Sequence, residues 1–205
     1  MKDILLKIER NIVSRKETDK IMWFSMWAVL SVASFGIAWF PMIFYLIKRR
    51  NDHFLRQQKL EELITKKIET LNPKKTLSDM LTKNKFQSRN ERLLTISTIV
   101  IIPSFYIFYS LKNDLINHEH HESIFLSELN NFAENLGISL NIQSYATTSH
   151  FSTSKYIIVS IVTFGLASIY WLYAIFNDYN NHFKMQWIIE DQLLRFLKKL
   201  DSKTS

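Results

Sequence analysis

Three stretches of the chain carry no charged side chain: Ile21 to Ile47, Leu93 to Leu111 and Tyr156 to Phe176. At about 1.5 Å per helical residue these runs reach about 40, 28 and 31 Å, against a hydrocarbon core of about 30 Å, so each is predicted to cross a bilayer once. The segments between them are too charged to wrap three apolar rods in a soluble core. The predicted fold class is all-α: a polytopic membrane protein with three transmembrane helices and an internal repeat. Along the chain the expected order is an amphipathic N-terminal segment (1–20), a first unit of transmembrane plus extramembrane helix (21–72), a basic linker (73–92), a second transmembrane helix (93–111), an external linker containing a helix (112–155) and a second unit (156–205). Trp23, Trp27, Trp39 and Tyr45 flank the first run, and Tyr170, Trp171 and Tyr173 crowd the end of the third, as interfacial aromatics do. Pro41 and Pro103 sit inside apolar runs, where membrane helices tolerate kinks.

The repeat is visible as "FGIAWFPMIFYLIKRRNDHF" from Phe35 and "FGLASIYWLYAIFNDYNNHF" from Phe164. Shifted by 129 without a gap, Phe35, Gly36, Ala38, Asn51, His53, Phe54, Gln57 and Glu61 recur as identical residues. His53, Gln57 and Glu61 are spaced i, i+4, i+8 and so share one arc of a helix, as do His182, Gln186 and Glu190. Leu60, Ile64, Ile68 and Leu71 continue the first arc; Ile189, Leu193, Leu197 and Leu200 continue the second. A seam that begins polar and becomes apolar calls for a partner, and the two helices are expected to run side by side from the same membrane face. A His53/His182 pair there is open to a metal, an anion or a proton relay. The expectation is that these polar residues fix register at a helix crossing.

Composition narrows the chemistry. The 205 residues include no cysteine, which excludes disulfides and thiolate metal sites, and three glycines, too few for a phosphate-cradling loop. No nucleophile elbow is present. Residues 3–15, with Leu5, Ile8 and Ile12 on one side, read as an interfacial amphipathic helix, and no cleavable signal is read at the N-terminus. Lys and Arg number six in 1–20, thirteen in 48–92, two in 112–155 and five after 176. An outside N-terminus then puts the basic linker and the C-terminus in the cytoplasm. A re-entrant first segment, broken at Gly36 and Pro41, is the rival topology. The linker motif "NHEHHES" places His118, His121 and Glu122 on one helical face, a donor set for Zn²⁺ or Cu²⁺ that His150 can complete by folding back. Interface histidines are preferred there over a metal.

The segment "TFGLASIYWLYAIFNDYN" resembles the Thr-Phe-Gly-Ile/Leu, Tyr-Trp-x-Tyr membrane segment of small prokaryotic integral membrane proteins grouped as a domain of unknown function. The resemblance covers about 25 residues of the second unit. It implies a membrane location and carries over no catalytic residue. The expected role is a non-enzymatic integral membrane scaffold or accessory subunit, without cofactor, in the cell membrane. The expected partners are the lipid bilayer and other membrane-protein subunits, in a homo- or hetero-oligomer and without nucleic acid. The alternative is a metal- or solute-handling membrane protein using the histidines.

Overall fold

The computed structural model describes residues 2–71, 87–99, 101–138, 140, 142, 146–148 and 153–204, and these are helical without a strand among them. The segments are α1 (Lys2–Val13), α2 (Arg15–Thr18), α3 (Phe24–Ala33), α4 (Trp39–Leu71), α5 (Glu91–Ser97), α6 (Ile101–Asn135), α7 (Thr153–Val162) and α8 (Leu166–Thr204). The all-α class holds. The three crossings do not, since none of these helices is long and apolar enough to cross a membrane.

Each uncharged run is divided, and the chain reverses at the division. Trp27 on α3 lies 6.1 Å ring to ring from Tyr45 on α4, where an unbroken helix would hold them about 27 Å apart. Tyr156 on α7 stacks 5.4 Å from Trp171 on α8. In the middle run, Arg89 before α5 pairs with Asp114 on α6 at 2.6 Å. After α1 and α2, the described residues therefore form three helical hairpins, each with a short apolar arm and a long arm that turns polar away from the tip.

Local sequence explains two of the reversals. Gly36 N–H donates to Ser31 C=O at 2.7 Å and Phe35 N–H to Val32 C=O at 3.1 Å, the paired bonds that close a helix with a left-handed residue after its last turn. Gly165 to Ser160 (2.7 Å) and Phe164 to Ile161 (3.2 Å) repeat them. Phe35 and Phe164 both take φ 52°, and Gly36 and Gly165 take φ 90° and 92°. The hydroxyls of Ser34 and Thr163 then accept from Ala38 N–H (2.8 Å) and Ala167 N–H (3.0 Å), restarting the chain as the long arm. Pro41 and Pro103 are third residues of α4 and α6, where a helix has no internal use for the missing N–H, so neither is a mid-span kink. The break proposed at Gly36 is present; at Pro41 the helix continues.

Packing shows that the long arms are parallel. Ile43, Leu46 and Ile47 of α4 share one buried cluster with Ile107, Phe108 and Leu111 of α6 and Trp171, Leu172 and Ile175 of α8. Further along the same helices, Leu60, Ile64 and Ile68 join Leu126, Leu129 and Phe132, and Ile189, Leu193, Leu197 and Leu200. The Leu71 side chain lies outside the described residues. All three tips consequently stand at one end. Ile8 and Ile12 of α1 are buried in the second cluster, so the apolar face expected to lie on a membrane is packed against protein instead.

Candidate functional site

Between the two apolar clusters, the long arms bring one histidine each to a common centre. The ring centroids of His53, His118 and His182 are 5.1, 5.2 and 5.5 Å apart, with neighbouring rings near perpendicular. A ring nitrogen of each lies within 4.8 Å of the other two. The residue after each histidine reaches the histidine of the next arm. Phe54 stacks on His118 at 4.1 Å, Glu119 Oε1 lies 3.3 Å from His182 Nδ1, and Phe183 packs 4.5 Å from His53. This cyclic order defines a pseudo-threefold axis through the site.

Charged groups fix the rings from outside. Asp19, in the turn after α2, bonds His53 Nδ1 through Oδ1 at 2.8 Å and accepts from Arg56 Nη2 (2.8 Å) and Trp187 Nε1 (3.0 Å) through Oδ2. Burial pushes the Asp19 carboxyl up, but His53 and Arg56 outweigh it and hold it below the usual range. Glu119 also feels burial, overcome by bonds from His182 and from the Thr147 hydroxyl and N–H. Burial pushes His53 down to about 4, against the pull of Asp19, and pushes His118 well below its ordinary value. Nε2 of His53 and Nε2 of His182 face each other at 3.1 Å, and Nε2 of His118 is buried without a hydrogen-bond partner.

The next layer contains Gln57, Glu122 and Gln186, one per arm. Gln186 bonds Glu122, and burial pushes the Glu122 carboxyl up to about 7. Gln57 donates to Glu190, which also meets Arg56 at 2.7 Å and Arg15 at 3.6 Å. Glu61 pairs with His121 at 3.1 Å. Beside this stack a cleft of about 740 Å³ is lined by Arg50, Arg89, Asn90, His118, His120 and His121, among others.

The predicted polar residues of both repeat units are thus brought into adjoining layers. The His118, His121 and Glu122 triplet is divided, since His118 turns to the other two histidines and His121 to Glu61. His150 lies outside the described residues. The partner that the sequence reading did not assign to the His pair is His118, and the two outer carboxylates, Asp19 and Glu119, were not nominated either. A signal for His118 exists at a shift of 64: "SFYIFYSLKNDLINH" from Ser104 and "SIYWLYAIFNDYNNH" from Ser168 agree at Ser104, Tyr106, Tyr109, Asn113, Asp114, Asn117 and His118. Asp19 has no such signal, because it precedes the first hairpin and meets the site only through the fold. Comparison of the chain with family models, with curated proteins and with solved structures gives no match.

Proposed function

We propose that the chain is a non-enzymatic membrane-surface scaffold or accessory subunit whose three hairpin tips enter one leaflet of a bilayer, with the bundle standing on the headgroups. The observation that carries this reading is the pair of tip residues Phe35 and Phe164, each 99% exposed at the apolar end. Around them Val29, Val32, Ile37, Ile161, Val162 and Leu166 are also exposed, a contiguity that a monomer in water does not sustain. The short arms α3 and α7, at ten residues each, rise about 15 Å, half of a hydrocarbon core of about 30 Å. Exposed Trp23, Tyr45, Tyr106, Tyr109, Tyr170 and Tyr173 lie farther from the tips, at a depth that suits the interface. The exposed basic residues of 48–92, Lys59, Lys66 and Arg92 among them, favour the anionic cytoplasmic leaflet, and an ion-paired bundle on three apolar feet is suited to hold other membrane subunits.

The reading is tested by topology. Single cysteines in place of exposed Ser88 and Ser127, on a chain otherwise free of cysteine, label from the same side of sealed vesicles. Three crossings would put these two positions on opposite sides, and that labelling pattern overturns the proposal.

A further inference from the structure

Two imidazoles bond through their Nε2 atoms only when one of them carries a proton there. His53 and His182 have already committed their protons elsewhere. Nδ1 of His53 faces Asp19 at 2.8 Å, and Nδ1 of His182 faces Glu119 at 3.3 Å. A carboxylate accepts from the imidazole nitrogen that faces it, so this geometry makes each Nδ1 the donor and leaves each Nε2 a lone pair turned to the centre. The two lone pairs nevertheless meet at 3.1 Å in a buried site. A cation held between them would bond to both. His118 adds a third ring nitrogen within 4.8 Å and a buried, unpartnered Nε2.

We propose that His53, His118 and His182 together bind one divalent transition-metal ion, with Zn²⁺ the best match, on the pseudo-threefold axis of the bundle. Neutral imidazoles are borderline donors that suit Zn²⁺, Cu²⁺ and Ni²⁺, and the donor set holds no thiolate. Zn–N bonds of about 2.0–2.1 Å in a tetrahedron set the ligand nitrogens about 3.3 Å apart. The His53 and His182 pair already stands at 3.1 Å, and His118 closes the set by moving inward roughly 1.5 Å, within reach of a side-chain adjustment. Asp19 and Glu119 supply the outer carboxylates that fix the tautomer of a ligating histidine and raise its basicity. Three protein ligands leave a fourth position for water or an anion, and His118 borders the cleft with Arg50 and Arg89, which provides an entry path. This inference stands on the histidine layer alone and does not depend on insertion of the tips.

The test uses the full chain in detergent, stripped with a chelator and titrated separately with Zn²⁺ and Co²⁺. Elemental analysis, the Co²⁺ absorption spectrum and thermal unfolding are the readouts. One ion per chain, a tetrahedral Co²⁺ spectrum and a metal-dependent rise in Tm are expected. His118→Ala loses stoichiometric metal and the metal-dependent rise in Tm, while its far-ultraviolet circular dichroism without metal matches that of the metal-free parent. Asp19→Asn weakens affinity by about 10- to 100-fold, and His121→Ala leaves stoichiometry intact. Absence of saturable binding to the parent overturns the proposal. So does binding that survives His118→Ala and is lost in His121→Ala, which would place the ion at the cleft rim.

Discussion

Phe35 and Phe164 share a backbone φ of 52° and the same 99% exposure, although 129 residues separate them. A left-handed conformation costs a side-chain-bearing residue about 1–2 kcal/mol, and leaving a phenyl ring in water adds to that. Two copies of one unfavourable feature, at the same end of the molecule, are accounted for when the ring has an apolar medium to enter.

Replacing both Phe35 and Phe164 with Asn separates these terms. Asn tolerates the left-handed region, so stability in detergent is expected to hold or to rise by up to about 1 kcal/mol per site, while flotation with liposomes falls. Gly36→Ala and Gly165→Ala behave oppositely: the added methyl meets nothing within 4 Å, yet φ near 90° costs each variant about 1–2 kcal/mol. Denaturant midpoints and flotation of the same preparations check both.

Ile64 and Leu193 are buried in the cluster where α4, α6 and α8 meet. Truncating either to Ala is expected to cost about 2–5 kcal/mol, and the double variant less than the sum, because the two sites share a collapsing core. A double-mutant cycle from equilibrium unfolding gives the coupling, and strict additivity would show that the two seams pack on different neighbours.

Glu122 sets a pH dependence. Its carboxyl is raised from 4.5 to about 7 by burial, with Glu61 and Glu190 adding to the rise and His182 and Gln186 opposing it. The folded state therefore binds more protons than the unfolded one between these values, and this contribution to stability is full below about 4.5 and is lost as pH rises through about 7. His53, depressed to about 4, acts in the other direction between about 4 and 6.5. Glu122→Gln removes the first effect, so the variant gains on the parent as pH rises from 5 to 8, by on the order of 3 kcal/mol. Unfolding free energies at the two pH values measure it.

Much of this arrangement was legible in the sequence. The i, i+4, i+8 spacing placed His53, Gln57 and Glu61 on one arc, and the shift of 129 found their counterparts. Leu60, Ile64, Ile189 and Leu193 follow the same periodicity into a shared core. The reversals were harder, because Phe35 and Gly36 interrupt the helix without interrupting the apolar run, and length alone then reads as a span. The second hairpin hid for a different reason. Where units one and three carry Ser/Thr-Phe-Gly-x-Ala, it carries Ile99-Val100-Ile101-Ile102-Pro103, so the turn signature is gone, while the Asn-Asp-x-x-Asn-His stretch beyond it is shared with unit three alone. Asp19 reaches His53 across 34 residues, a juxtaposition that no local pattern encodes.

Three reversals at one end also bear on how such a chain reaches its place. A helix that crosses a bilayer obliges the cell to carry a polar flank through hydrocarbon, at a cost that calls for a translocation channel. On the proposed placement, with tips that turn back halfway through the bilayer, α1, the bundle and the C-terminal end of α8 would stay on the side where they were synthesised, and only uncharged arms would leave water. Under that proposal the bundle would fold first and seat its tips afterwards, and the count of Lys and Arg would bear on which leaflet is chosen and no longer on which loops are exported.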